Sequence, residues 1–299
     1  MKENKKVLFL LGPTGVGKSS LSIEIAQKYD MEIISADSVQ VYKEFDIGSA
    51  KITPDEMKGV KHYGIDILSP NEIFSASQFV DYTKEKIEEI ISKGKIPLIV
   101  GGTGLYVKSL VEGYNFGGTD RHEDFRAECE KEDCQTLFEK LKELNPEVVS
   151  GIDKNNKIRL IRALEIATYG SEKLKNEVDY DFLCLAVVMA REELYNNINN
   201  RAEKMIKSGL IEETKNLYEK YGNVQPLGAI GYKETLSYLK NEITKQDMLA
   251  LISQHTRNYA KRQLTFLRGL DYLKYFDKST ENYKQEMIKE IDKWIESSN

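Results

Sequence analysis

Short apolar runs alternate with stretches of helical period along the first third of the chain. Residues 7–11 and 96–100 are apolar runs that each end in glycine, which is typical of a fully buried strand. Residues 33–34 give a shorter strand of the same kind, while residues 19–29 and 79–93 have the period of amphipathic helices. Strands that alternate with helices in this way predict an α/β fold with a mostly parallel sheet.

The pattern changes between residues 115 and 178, where apolar strand runs disappear and helical periods dominate, with helices predicted over 123–144 and 157–169. A buried strand returns at residues 182–189. Further helices are predicted over residues 192–208, 210–221 and 245–267, and the charged tail, 277–299, is expected to form one terminal helix. We therefore expect an α/β core with C-terminal helices, residues 1–114 and 179–299, and an all-helical insertion, residues 115–178.

Composition narrows the class of protein. A net charge of −5 argues weakly against a nucleic-acid-binding chain, although a local basic patch can still bind RNA. Cys129, Cys134 and Cys184 form no CxxC pair, and His122 beside the first two lacks a fourth ligand, so reduced thiols of a cytoplasmic protein are expected rather than a metal site. Residues 7–11 are too short to span a membrane and lack a signal-peptide pattern.

A glycine-rich turn follows the first predicted strand and matches G-x-x-x-x-G-K-[ST] at every position. Its residues are Gly12, Pro13, Thr14, Gly15, Val16, Gly17, Lys18 and Ser19. With a strand before it and a helix after it, the turn predicts a P-loop, in which backbone N–H groups, the helix N-terminus and Lys18 bind phosphate oxygens and the Ser19 hydroxyl binds Mg²⁺. The core is therefore expected to be P-loop NTPase-like.

The acidic residue expected in a nucleotide hydrolase is missing. Such enzymes place an aspartate at the end of an apolar strand to hold the metal, but residues 96–100 end in Gly101. The acid at a strand end is Asp37 instead, and an interpretation as a turn or helix-cap residue is open for it as well. This favours transfer of a group from a phosphorylated substrate over a hydrolysis motor.

Three strings in a fixed order resemble the tRNA dimethylallyltransferase family, also called tRNA isopentenylpyrophosphate transferases. They are DSVQVY at 37–42, DIGSAK at 46–51 and GGTGLY at 101–106; RLIRALE at 159–165, GYKE at 231–234 and the stretch from Thr256-Arg257 to Gln263 agree. The resemblance implies that a dimethylallyl group moves from dimethylallyl diphosphate to N6 of the adenine 3′-adjacent to the tRNA anticodon, with Mg²⁺ as cofactor. The expected partners are a tRNA anticodon stem-loop and dimethylallyl diphosphate, and a monomer is expected.

The chemistry that the resemblance implies assigns roles to particular residues. The exocyclic amine of adenine is a poor nucleophile, so a general base would help, and Asp37 is the candidate. Thr103 follows two glycines at a strand end, where its hydroxyl could approach the breaking C–O bond; capping the next helix is an alternative that could coexist with this role. Ser38, Val39 and Gln40 are expected beside the adenine.

Arg201 is a third catalytic candidate. It lies on the apolar stripe that Leu194, Ile198 and Met205 form on the helix predicted at 192–208, so it should face the protein. A buried guanidinium needs an anionic partner, which an internal Asp or Glu could supply; the resemblance assigns the substrate diphosphate instead.

Basic residues cluster where a tRNA would bind. The helix predicted at 245–267 carries Arg257, Lys261 and Arg262, with no acid between Ile252 and Arg268. In the insertion, Arg159 and Arg162 are one helical turn apart, and Arg126 matches a tRNA-contacting position of the family. The expected tRNA-binding residues are Asp37, Ser38, Val39, Gln40, Thr103, Arg126, Arg159, Arg162, Arg257, Lys261 and Arg262.

Two other hypotheses remain open at this point. A P-loop small-molecule kinase would use Asp37 to activate an acceptor hydroxyl, but such kinases are usually shorter and need an arginine-bearing lid over ATP. A non-catalytic RNA-binding protein with a relic P-loop would explain the basic residues but not the intact Lys18, Ser19 and Asp37.

Overall fold

The computed structural model describes residues 5–113, 119, 121–170 and 179–297, and these contain one parallel sheet of six strands. The strands are β1 Lys6–Leu11, β2 Glu32–Ala36, β3 His62–Tyr63, β4 Pro97–Gly101, β5 Asp181–Val188 and β6 Lys274–Asp277, in the spatial order β3-β2-β4-β1-β5-β6. The predicted α/β fold with a mostly parallel sheet is confirmed. The sequence pattern missed β3, which has two residues, and β6, which is largely exposed and carries no apolar run.

The central strand sets the position of every loop that follows the sheet. β1 lies between β4 and β5, and its residues from Val7 to Leu11 are all fully buried, which explains the unbroken apolar run. Leu11 pairs with Gly101 of β4 and Ala186 of β5, while Ala36 of β2 pairs with the same Gly101. β1, β2 and β4 therefore end level with one another and β5 continues to Val188, so the segments that follow them emerge at one edge, where ligands of open α/β sheets bind.

The helices are numbered in chain order. They are α1 Lys18–Tyr29, α2 Pro54–Met57, α3 Ala76–Ser92, α4 Gly104–Val111, α5 Glu123–Cys129, α6 Cys134–Leu144, α7 Pro146–Val149, α8 Lys157–Tyr169, α9 Arg191–Lys207, α10 Leu210–Tyr221, α11 Tyr232–Leu239, α12 Lys245–Arg268 and α13 Tyr283–Glu296. A membrane crossing would need a longer and more apolar helix than any found in the described residues.

Two predicted helices were wrong in extent. Residues 123–144 form two helices, α5 and α6, because Asp133 begins α6 anew as its N-cap, with its Oδ1 accepting from the Thr136 amide at 2.8 Å. The tail is not one helix from residue 277, because β6 occupies Lys274–Asp277 and α13 begins only at Tyr283. The final residues, 298 and 299, lie outside the described part of the chain.

The chain divides into two compact units, one of Met1–Lys108 with Asp179–Asn299 and one of Ser109–Val178. The division proposed from the sequence, 1–114 with 179–299 and 115–178, starts the insertion later because α4 continues past Lys108 to Val111. The predicted far end of the insertion, residue 178, lies outside the described residues.

The second unit has a helical core of its own. α5, α6 and α8 pack Cys129, Leu137, Leu141, Leu160 and Leu164 against one another, all buried. No strand occurs among the described residues of this unit, as the loss of apolar runs predicted. Burial of one face of α8 stabilises the unit, while Ile158 and Arg159 near the start of the helix are exposed.

We expect Leu160→Ala to lower the free energy of unfolding by about 2–5 kcal/mol, because it removes fully buried methyl groups and leaves a cavity. Urea denaturation followed by circular dichroism measures the change. Ile158 is 72% exposed on the same helix, so Ile158→Ala is the matched control and should change stability by less than about 0.5 kcal/mol. Equal stabilities of the two variants would contradict the description of this core.

Candidate active site

The turn between β1 and α1 is shaped to bind an anion. Gly15 and Gly17 have φ values of 83° and 85°, in the left-handed region that favours glycine. α1 begins after Gly17 with no side-chain cap and no acidic residue in its first turn, so the first N–H groups of the helix are left for a ligand. The sequence-predicted segment Gly12 to Ser19 therefore has the local geometry of a phosphate-binding loop.

The ammonium group of Lys18 lies beside this loop, where backbone carbonyl oxygens compensate its charge only in part. Its Nζ donates to the carbonyl oxygens of Gly12 and Pro13, each at 2.9 Å. Burial and the neighbouring charge of Arg201 lower the pKa of Lys18 to about 7, although Asp37 opposes the shift. An anion at this place would restore the full charge of the ammonium group.

Arg201 comes from α9 and lies half-buried beside Lys18. Its Nη2 donates one long hydrogen bond, 3.5 Å, to the Ser49 carbonyl oxygen, and no carboxylate of the described residues forms an ion pair with it. Burial lowers the pKa of Arg201, while Asp37 acts in the opposite direction. The internal Asp or Glu considered as its partner is therefore not found in the described part of the chain, which leaves a guanidinium suited to an external anion.

Asp37 follows β2 and has two distinct oxygens. Its Oδ1 accepts hydrogen bonds from the backbone N–H groups of Val39, at 2.8 Å, and Gln40, at 3.2 Å, which is the turn-capping role considered for it. Its Oδ2 accepts no hydrogen bond from the described residues. Capping therefore occupies one oxygen and leaves the second for chemistry, so the two interpretations are compatible.

Two cavities meet at these side chains. The first, of about 310 Å³, extends from the P-loop to the apolar residues Ile33, Ile52, Ile65 and Val100, and we call it the P-loop cavity. The second, of about 340 Å³, is lined by Ser38, Val39, Ser49, Met205 and Arg262, among others, and we call it the second cavity. Both cavities are lined by Thr14, Asp37, Arg201 and Tyr259. These four residues therefore form the junction between an anion-binding space and a second, larger space.

The sequence patterns did not indicate Tyr259, and they included Gln263 only as the last residue of a stretch that resembles the family. Gln263 is 7% exposed; its Oε1 accepts from the Thr14 amide at 2.8 Å and its Nε2 donates to the Gly102 carbonyl at 3.0 Å. Burial and the charge of Asp37 raise the pKa of Tyr259, and the neighbouring side chains of Thr103 and Gln263 oppose the shift. A polar residue at a buried position of α12, between Ala260 and Leu267, is the signal that could have revealed Gln263.

The loop after β4 holds Thr103 close to α12 because two glycines allow the helix to lie against it, although Thr103 itself lines neither cavity. A Cβ on Gly102 would lie 2.2 Å from the Gln263 amide nitrogen, and one on Gly104 would lie 2.1 Å from the Phe266 ring. Thr103 lies between them, immediately before α4, and its carbonyl oxygen accepts from the Tyr106 amide at 3.0 Å. Thr103 is thereby packed between two close contacts with α12, the helix that also carries Tyr259.

The basic residues differ in how free their side chains are. Lys261 and Arg262 are exposed on α12, and Arg262 lines the second cavity, whereas Arg257 donates to the Asn199 side chain at 2.7 Å. In the second unit Arg159 is exposed. Arg126 and Arg162 of that unit both contact the fully buried carboxylate of Glu165.

Glu165 accepts two hydrogen bonds from Arg126, at 2.8 and 2.6 Å, and one from Arg162 at 2.5 Å. Burial opposes its ionisation, but these bonds and one from the His122 amide outweigh it and lower the pKa of Glu165 to about 2. Arg126 and Arg162 are thereby oriented within this unit, and fewer of their donors remain for an RNA phosphate.

A divalent metal at the P-loop would depend on few protein ligands. No group of three or more His, Cys, Asp or Glu side chains suited to a metal occurs in the described residues. The exposed Ser19 hydroxyl is the ligand that the loop offers, so the remaining ligands would be phosphate oxygens and water, as Mg²⁺ accepts.

Comparison with known proteins agrees with this geometry. The IPP transferase family model matches residues 40–270. The tRNA dimethylallyltransferase of Lactococcus lactis is 40% identical over 296 residues, which cover 98% of this chain and 99% of the relative. The crystal structure of the tRNA isopentenylpyrophosphate transferase of Bacillus halodurans is 38% identical, with a TM-score of 0.76 and 98% of each chain covered.

A eukaryotic dimethylallyltransferase, described in its structures as acting on tRNA, is 27% identical with a TM-score of 0.82, and the match covers 98% of this chain and 80% of that one. The similarity thus spans both compact units and includes the strings at 37–51 and 101–106. This chain belongs to the IPP transferase family, whose members are tRNA dimethylallyltransferases.

Proposed function

We propose that this protein transfers the dimethylallyl group of dimethylallyl diphosphate to N6 of the adenine 3′-adjacent to the anticodon of a tRNA, with release of diphosphate. One observation carries the proposal: Lys18 and Arg201, two partly buried cations without carboxylate partners among the described residues, lie next to Asp37 where two cavities meet. The relatives matched over nearly the whole length are tRNA dimethylallyltransferases, so the kinase and relic P-loop hypotheses are set aside.

The diphosphate would occupy the P-loop end of the P-loop cavity. The N-terminus of α1, the Lys18 ammonium and the planar guanidinium of Arg201 are donors already in place for its oxygens. Because negative charge grows on the leaving diphosphate, preorganised donors lower the barrier more than they stabilise the bound substrate. Mg²⁺ held by Ser19 and the phosphates would supply further neutralisation of that charge.

The adenine would enter the second cavity, unstacked from its neighbours, beside Ser38 and Val39. There the Oδ2 of Asp37 accepts the proton of N6 as the bond from N6 to the dimethylallyl C1 forms and the bond from C1 to the diphosphate oxygen breaks. Tyr259 lies at the same junction, where its hydroxyl could hydrogen-bond the departing oxygen. Thr103 follows Gly102, which lines the P-loop cavity, and its hydroxyl would be a second donor to that oxygen. Asp37 thus faces the nucleophile while the two cations face the leaving group.

The tRNA phosphates would contact basic residues around this entrance. Arg262, Lys261 and Arg257 on α12 are the nearest candidates, since Arg262 itself lines the second cavity. In the second unit, Arg159, Arg126 and Arg162 would contact another part of the anticodon stem-loop. Phosphate contacts of this kind fix the register of the RNA and leave selection of the base to the cavity.

The direct test is mass spectrometry of nucleosides from unmodified tRNA incubated with the protein, dimethylallyl diphosphate and Mg²⁺. The expected product is N6-(dimethylallyl)adenosine at the position next to the anticodon. A tRNA with another base at that position is the control. Absence of the modified nucleoside with every adenine-bearing tRNA of the source cell would overturn the proposal.

We expect Asp37→Asn to lower turnover by about 10²–10⁴-fold with little change in either KM, because the amide keeps the oxygen that caps the turn but cannot take the proton. Steady-state kinetics measures the loss. Asp37→Ala removes the cap as well, so it should also melt at a lower temperature. If Asp37→Asn turns over within a few-fold of wild type, Asp37 is a turn residue alone.

Arg201→Lys should raise the KM for dimethylallyl diphosphate although the charge is kept, because an ammonium group cannot hold two phosphate oxygens in one plane. Arg201→Ala should raise it further. Kinetics at saturating tRNA measures both, and the affinity for tRNA should remain that of wild type. A lower melting temperature with an unchanged KM would instead show that Arg201 serves the fold.

Anion binding at the P-loop should weaken as the pH rises. Since the pKa of Lys18 is lowered to about 7, its charge is present below that pH and is lost above it. The affinity for sulfate, a dianion throughout this range, should fall about tenfold from about pH 6 to about pH 8 by isothermal titration calorimetry. Burial lowers the pKa of His62, which lines the same cavity. Lys18→Arg keeps its charge, so its affinity should not vary with pH; a flat wild-type profile would contradict the assignment.

A further inference from the structure

The strings at 46–51 and 231–234 have no role in the chemistry described so far, yet one side chain joins them. The carboxylate of Glu213, on α10, accepts hydrogen bonds from the backbone N–H groups of three consecutive residues. They are Asp46 at 3.2 Å, Ile47 at 2.8 and 3.0 Å, and Gly48 at 3.1 Å. The hydroxyl of Tyr232, at the start of α11, donates to the same carboxylate at 2.7 Å. One acidic side chain thus fixes a segment more than half the chain away from it in sequence.

The aromatic ring of Tyr232 fixes this segment from another side. Tyr232 is fully buried, and a Cβ on Gly48 would lie 2.4 Å from its ring. The glycine therefore lies flat against the ring, and no other residue fits there without a shift of α11 or of the segment. The ring also packs on Phe45 with centroids 4.9 Å apart, which ties the start of the segment to the same core.

The segment that Glu213 holds forms a wall of both cavities. Gly48 and Ser49 line the second cavity and Ala50 lines the P-loop cavity, whereas neither Glu213 nor Tyr232 lines either. The Ser49 carbonyl accepts from the Arg201 guanidinium at 3.5 Å and from the Gln40 amide at 3.4 Å, and the Ala50 carbonyl accepts from the same amide at 3.3 Å. The direction of these two carbonyls therefore sets the orientation of Arg201 and Gln40.

We propose that Glu213 is a positioning residue for the transfer reaction: with Tyr232 it holds residues 46–50 so that the Ser49 carbonyl directs Arg201 into the P-loop cavity. The inference rests on the proposed function for its effect on catalysis, but not for its effect on anion binding. Without the carboxylate, three backbone N–H groups and a phenol lose their acceptor, and the segment must rearrange to find others. Displacement of Arg201 by an ångström is enough to weaken a two-point contact with a diphosphate.

Glu213→Gln tests the proposal. The variant keeps the size of the side chain, but an NH₂ group replaces one of the two acceptor oxygens and cannot accept from the backbone N–H groups. We expect roughly a tenfold or larger rise in the KM for dimethylallyl diphosphate with the KM for tRNA unchanged, and faster amide exchange at residues 46–48. Glu212→Gln, on the neighbouring exposed residue, is the matched control and should behave as wild type in both measurements. Tyr232→Phe keeps the ring and removes one hydrogen bond, so it should show a smaller rise even if Glu213→Gln folds poorly.

A double-mutant cycle separates positioning from a general loss of stability. If Glu213 acts through Arg201, combining Glu213→Gln with Arg201→Lys should raise the KM by less than the product of the single effects. Independent, multiplicative effects, or a wild-type KM in both Glu213→Gln and Tyr232→Phe, would overturn the inference. Sulfate affinity at the P-loop should fall in parallel in the Glu213 variant, and it remains measurable even if no tRNA is modified. Failure of the proposed function is therefore distinguishable from failure of this inference.

Discussion

Two cations held close together, with no salt bridge to either among the described residues, are the constraint on which the rest of the site depends. Lys18 and Arg201 lie at the same edge of the sheet, and the pKa of each is lowered because burial removes part of its hydration. Partial burial of the two cations destabilises the fold, and no ion pair among the described residues offsets it. The destabilisation is limited because both groups keep some access to solvent through the cavities. This destabilisation is reversed when an anion enters, so a bound anion would stabilise the folded arrangement as well as being held by it.

Asp37 balances this pair without neutralising it. Its charge opposes the lowered pKa of both Lys18 and Arg201, yet its Oδ1 is engaged by the turn at Val39 and Gln40 rather than by either cation. A direct salt bridge would have held the carboxylate against the cations. Because the turn fixes it instead, its second oxygen is left for the nucleophile of the proposed reaction, in which negative charge would develop near the two cations.

Local patterns predicted the parts of the fold that depend on neighbours in sequence. The P-loop, β1, β4 and α8 follow from runs and periods of adjacent residues, and α8 has the predicted bounds, Lys157–Tyr169. β3 and β6 could not be predicted in this way, because a pair of residues and a mostly exposed segment carry no apolar signal. Site residues follow the same division: Asp37 and Thr103 follow strand ends, but Gln263 contacts Thr14 across 249 residues and Glu213 contacts Ile47 across 166. Nothing in the local sequence reports such distant partners.

The strings that carry the family resemblance are the places where distant segments touch. Gly48, in the string at 46–51, lies against Tyr232 of α11. Gly102 and Gly104, in the string at 101–106, lie against Gln263 and Phe266 of α12. At each glycine a Cβ would come within 2.4 Å of the opposing side chain, so the contact specifies glycine on one side and a particular large residue on the other. A nucleotide-binding loop alone requires only its own glycines. The additional glycine contacts are needed because α11 and α12 must close on the loops after β2 and β4, and this closure brings Tyr259 of α12 to the junction that Asp37 and Arg201 also line.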